Sequence, residues 1–241
     1  MTNSLSAPPR DHSSSRHRSS VTGAPPFASD ARPVPSTPDR LVATVAAICF
    51  VLYPALRPAS SETGLEGAAA FAAWQWTASH LLGVLAFVAL AALTLRQSAA
   101  SASRLAAWAA GVITLGVAAI LPYYGAETFA LAAIGANALE TGDPAVMTLA
   151  EEVRGGGPAL ATFGAGLMAL AAGGILWALR SRRSDPPFAQ LGALFMALGL
   201  VTYLPQYYLP GGARIAHGAL LAVGLLWWAW SRRPASERVV A

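Results

Sequence analysis

Lysine is absent from this chain of 241 residues: all sixteen basic side chains are arginine. Cysteine is reduced to Cys49 alone, which excludes an intramolecular disulfide and a cysteine-built metal site. Charge of either sign is scarce, at 12% of residues, about half of what a soluble domain carries. No phosphate loop, nucleophile elbow or dinucleotide fingerprint occurs. No Asp, Glu or Arg lies near the middle of an apolar run, which argues against a proton-coupled transporter.

What is present is apolar. Hydrophobic residues make up 55% of the chain, and the mean hydropathy is +0.49. They concentrate in six stretches: Leu41–Leu56, Phe71–Leu95, Leu105–Leu121, Pro158–Leu179, Phe188–Leu204 and Ala213–Trp230. At about 1.5 Å per residue each is long enough, or nearly so, to cross a hydrocarbon layer of about 30 Å. The pattern predicts an all-α polytopic membrane bundle of six transmembrane helices. Residues 41–231 form the spanning domain, 1–40 a disordered cytoplasmic tail rich in Ser, Pro and Arg, and 232–241 a cytoplasmic C-terminal tail. The first apolar run begins only at Leu41, and no small-residue cleavage site follows it, which argues against a cleavable signal peptide.

The arginines sort onto one side of six spans. Thirteen fall in the N-terminal tail, the connections after the second and fourth spans, and the C-terminal tail; the other side holds only Arg57, Arg154 and Arg214. The positive-inside rule then places both termini in the cytoplasm of a plasma-membrane protein. The net charge of +4 is explained by this bordering of spans, and no nucleic-acid partner is implied; the partner is the lipid bilayer.

The long outer connection 126–157 carries a helix signal. Asp143-Pro144 reads as an N-cap followed by proline in the first turn; Val146, Leu149, Ala150 and Val153 follow at helical spacing, and Gly155 ends the run. A short interfacial helix is expected there. Small residues suited to close helix contact recur at Ala165, Ala169 and Gly173 and at Gly218 and Ala222.

Ionisable residues at lipid depth are expensive and single themselves out. They are His80, Glu127 and His217, all placed in the outer leaflet by the six-span topology. All six tyrosines fall on that side as well, as does Trp76, while five tryptophans lie toward the inner boundary. Two aromatic belts explain the tryptophans better than they explain a one-sided tyrosine set. The pocket candidates are therefore His80, Glu127, His217, Arg214, Tyr124, Tyr207 and Trp76, with Arg214 a rim partner for Glu127. Such an outward-facing pocket suits a small molecule or a lipid. Other classes stay open: an enzyme on a lipid or isoprenoid using a histidine as base and Glu127 as acid, and a redox protein with b-haem on His80 and His217 or a metal on the two histidines and Glu127. Interhelical hydrogen bonding is the plain structural role for each histidine.

The stretches Pro122–Phe129 (PYYGAETF) and Arg214–Leu221 (RIAHGALL) resemble segments of small multi-pass membrane proteins of actinobacteria. The resemblance covers the spans, residues 41–231, and implies location and fold without an activity.

Overall fold

The computed structural model describes residues 34–232, all helical or connecting, with no strand among them. The expectations for the N-terminal tail up to residue 33 and for residues 233–241 lie outside the described residues. Helix α1 runs Thr37–Leu56, four residues earlier than hydropathy alone places it. The reason is a capping box: Ser36 and Asp39 satisfy each other's backbone N–H groups, and a proline occupies the first turn.

A short helix α2 (Gly64–Ala72) precedes α3 (Trp74–Ala99). The single extended residue Ala73 separates them, so the second apolar stretch is broken near its start. Helix α4 (Arg104–Gly125) does not stop at Pro122. It passes through a π-helical turn at Ala126–Ala130 into α5 (Leu131–Thr141), forming one continuous helical stretch of 38 residues. Proline removes one helical hydrogen bond but does not end a helix held by its neighbours. Asp143 then starts the expected outer helix: it caps a 3₁₀ turn, Pro144–Met147, that leads into α6 (Thr148–Gly155).

Helices α7 (Gly157–Ser184), α8 (Pro187–Val201), α9 (Tyr203–Gln206) and α10 (Gly211–Trp230) complete the chain. Five helices among the described residues are long and apolar enough to cross a membrane. The expected fifth span is shorter: α8 has 15 residues and breaks at Thr202 before α9.

The six main helices form a closed ring in chain order. Helices α1 and α3, α3 and α4, α4 and α7, α7 and α8, and α8 and α10 pack pairwise, and α10 closes onto α1. The ring is filled by aromatic and aliphatic side chains, with the Phe87 ring 5.2 Å from Phe50 and 5.0 Å from Tyr203. Backbones touch where a side chain cannot fit: a Cβ on Gly218 would fall on the Phe50 carbonyl of α1. On α7 the contact face is Gly166 and Gly173 against α4; of the small-residue row read from spacing, Gly173 lies in this contact, whereas Ala165 points outward.

The two excursions, α2 and the α5–α6 segment, lie at the same end of the ring and pack on each other. Phe71, Trp76, Leu131, Ala138, Met147 and Ala150 form their shared core. This second core makes a cap over one end of the bundle, so α6 packs over the bundle and its Leu149 faces outward.

Candidate functional site

Beneath the cap, the chain assembles a line of alternating charges. Arg57, just past the end of α1, donates from Nη2 to Glu62 Oε1 at 2.7 Å. Arg154 of α6 donates from Nη1 to Glu62 Oε2 at 2.8 Å. Through Nε and Nη2 the same guanidinium grips both Glu127 oxygens, at 2.8 and 2.9 Å, in the bidentate fork that arginine favours. Glu127 Oε2 lies 3.5 Å from His80 Nε2. The Glu127–His80 end of this line is anchored by Trp76. Its indole N–H donates to the Glu127 carbonyl at 2.7 Å, and its own carbonyl accepts from His80 Nδ1 at 2.8 Å.

The bond to a carbonyl fixes the histidine. Nδ1 must carry a proton to make it, so the neutral ring leaves a lone pair on Nε2. That atom is buried, has no hydrogen-bond partner, and faces a carboxylate. Two acceptors at this separation attract a proton or the donor of a ligand. Arginines 57 and 154 are permanent cations in turn. Burial alone would lower both pKa values; Tyr53, Glu62 and Glu127 around Arg57, and Glu127 followed by Glu62 around Arg154, outweigh it and hold both above the ordinary guanidinium range.

Aromatic rings complete the walls. The His80 ring sits 4.4 Å from Trp76 and 5.5 Å, edge-on, from Tyr53. Arg57 lies over Trp76 at 4.8 Å and Arg154 over Phe71 at 4.8 Å, both within cation–π range. The Tyr124 hydroxyl is 3.1 Å from the hydroxyls of Tyr203 and Tyr207. A cavity of about 410 Å³ opens onto His80, Glu127, Arg154, Tyr124, Tyr207 and Arg214. A second, of about 460 Å³, shares Tyr53, Arg57, Glu62, Tyr207 and Arg214 with it and extends toward the start of α10.

Of the residues singled out in the sequence, His80, Glu127, Tyr124, Tyr207 and Trp76 come together, and Arg214 lines the same cavity. The partner of Glu127 is Arg154, however, and not Arg214. Arg214 instead donates to the carbonyls of Leu209 and Tyr207 at 2.8 and 2.9 Å. His217 stands apart: its Nε2 donates to the Gly199 carbonyl of α8 at 2.9 Å, and it borders a void of about 10 Å³ beside Tyr203. This is the interhelical hydrogen bond of its plain structural reading. A void of that size has no room for haem, and no three His, Cys, Asp or Glu side chains gather for a metal among the described residues. Arg57, Glu62 and Arg154 were not singled out; their signal was that two of them break the sorting of the arginines.

The opposite end of the bundle holds a second polar network. Asp185, at the end of α7, accepts from Ser181 Oγ at 2.8 Å, Trp228 Nε1 at 3.0 Å and Arg180 Nη1 at 3.3 Å, and pairs with Arg232 Nε at 3.2 Å. Arg232 reaches Gln97 of α3, and Gln97 reaches Asp39 of α1. It borders no cavity described above, and its bonds tie helices together.

Comparison with known proteins returns no match at any level: no family model, no curated protein and no solved structure matches the chain.

Proposed function

We propose that this chain is an integral plasma-membrane protein with both termini in the cytoplasm, related to small multi-pass proteins of actinobacteria, and that its capped cavity faces outward and binds a small molecule or lipid. The observation that carries the binding reading is the cavity of about 410 Å³ bordered by His80, Glu127 and three arginines at the capped end of the bundle. Buried charge of this density is costly in lipid, and it borders an open space instead of filling the core. The orientation rests on the arginine sorting: Arg57, Arg154 and Arg214 stand at the capped end, while Arg96, Arg104, Arg180, Arg182, Arg183 and Arg232 stand at the other.

Mass spectrometry of the purified full-length protein tests the binding reading. A bound molecule is expected in near-stoichiometric amount, and lost when Gly164 at the cavity wall becomes Phe. Purification without any such molecule, unchanged by added membrane extract, counts against it. Orientation is tested in a Cys49→Ala background: a membrane-impermeant thiol reagent added to cells reaches Ser61→Cys and spares Ala102→Cys. The reverse pattern inverts the assignment.

A second reading, an enzyme acting on a lipid or isoprenoid, is favoured by one detail. His80 presents a buried, unpartnered Nε2 held in a fixed tautomer, as a general base requires. In that case His80→Gln keeps the bound molecule and abolishes its turnover.

A further inference from the structure

The two cavities meet at Arg57, Tyr207 and Arg214, but their outer parts differ in chemistry. The larger is bordered by Ser60 and by Gly211 and Gly212, the first residues of α10. The smaller runs out past Leu160, Phe163 and Gly164 of α7 and past Leu204 and Tyr208 around α9. The first lobe is lined mainly by small residues and prolines and reaches the backbone at the start of α10; the second is aromatic and aliphatic.

The charges at the meeting point do not cancel. Arg57 and Arg154 are matched by Glu62 and Glu127. Arg214 binds only neutral carbonyls, so its positive charge has no carboxylate opposite it. Arg57 Nε is buried and has no hydrogen-bond partner. Helix α10 begins after Pro210 with no side-chain cap, and its first residues, Gly211 and Gly212, border the first lobe, which brings the positive end of the helix to that space. An unmatched guanidinium, a buried unsatisfied donor and an uncapped helix start around one space together select an anion.

The apolar lobe reaches the outside of the bundle. Leu160 and Leu204 line it and are also 51% and 42% exposed on the apolar exterior. Between them Gly164 leaves a gap: a Cβ built there meets nothing within 4 Å. A cavity that ends on exposed leucines between two helices opens sideways.

From this geometry we infer that the ligand is an anionic amphiphile entering from the side: its phosphate or carboxylate head sits between Arg57, Arg214 and the start of α10, and its apolar tail leaves over Gly164 between Leu160 and Leu204. The inference rests on the binding reading above and assigns the chemistry of the ligand.

The test uses full-length protein in detergent, with dioleoyl phosphatidic acid, dioleoyl phosphatidylcholine and inorganic phosphate as probes, read by native mass spectrometry. Phosphatidic acid is expected to bind at least about tenfold more tightly than phosphatidylcholine, the scale of one charge contact. Arg214→Gln is expected to erase that preference. Gly212→Glu is expected to do the same; it adds a negative charge at an exposed position where a Cβ meets nothing within 4 Å, so the fold is kept even if Arg214→Gln does not fold. Gly164→Phe is expected to weaken phosphatidic acid about tenfold and to leave phosphate binding unchanged. Equal binding of the two lipids, or a preference that survives Gly212→Glu, overturns the anionic head. Full phosphatidic acid binding in Gly164→Phe overturns the lateral route. Inorganic phosphate binding as tightly as phosphatidic acid makes the site one for a free anion. If the co-purified molecule proves neutral, this assignment falls while the binding reading stands; if nothing co-purifies and no probe binds, both fall.

Discussion

Glu127 is the hinge of the site at the level of single residues. Its side chain is 10% exposed, and it is clasped by Arg154 on one side and faced by His80 on the other. Removing one member of a buried ion pair leaves the other desolvated without compensation, at a cost of about 3 kcal/mol. Glu127→Gln is therefore expected to destabilise the protein by about that amount in a reversible unfolding titration. Adding Arg154→Met is expected to return part of the loss, because the cation left with Glu62 as its remaining carboxylate partner is then gone. An additive pair of effects would show that the contact carries no coupling. His80 offers a separate check, since its tautomer follows from the Trp76 carbonyl. The ¹⁵N spectrum of the neutral ring is expected to show a protonated Nδ1 and a bare Nε2; the opposite tautomer would remove the basis for His80 as a base.

At the scale of elements, the cap decides what the bundle can do. Gly135 of α5 lies so close to α2 that a Cβ there would sit 2.6 Å from the Ala68 carbonyl and 2.8 Å from the Phe71 Cβ. Gly135→Leu is expected to part α2 from α5 at a cost of about 2 kcal/mol, the usual scale of overpacking. Hydrogen exchange should then quicken in α2 and α5 and stay slow in α1, α8 and α10. Uniform quickening would mean that cap and ring unfold together.

The same elements explain what could be read from the sequence. Long apolar runs announce themselves, so all six main helices were visible, with ends moved by Ser36 and by Ala73. The α2 break was not, because nothing in the alanine-rich stretch 68–73 marks one extended residue. The continuation past Pro122 was hidden because proline signals an end unless tertiary contacts overrule it. His80 and Glu127 were found through the rarity of charge at depth. The wrong arginine was matched to Glu127 because depth alone cannot tell which outer segment folds back over a site. That α6 does so is set by Met147 and Ala150 packing on Phe71 and Trp76, a contact no local pattern encodes.

For the whole molecule, polar networks clamp the ring at both ends and leave the middle apolar. At the end away from the cavity, burial lowers the Arg232 pKa to about 10 even though Asp185 opposes the shift. Asp185→Asn leaves Arg180 and Arg232 buried without that carboxylate, and a loss of about 3 kcal/mol is expected in the same unfolding titration. Ligand binding at the capped end should be unchanged, which separates a tie between helices from a part of the site. A parallel loss of binding would join the two ends.

Trp76 gives the molecule a built-in optical gauge. It is the indole that touches His80, Arg57 and Arg154 together, while Trp177 and Trp228 meet edge to face, 5.2 Å apart, at the other end. Emission from an indole is sensitive to cations and imidazole lying against its ring. Whatever enters the cavity and draws Arg57 toward itself changes the emission of Trp76, one of the seven tryptophans, as a difference between the filled and the empty protein. The cavity can therefore be watched as it fills, without a dye and before its occupant has been identified.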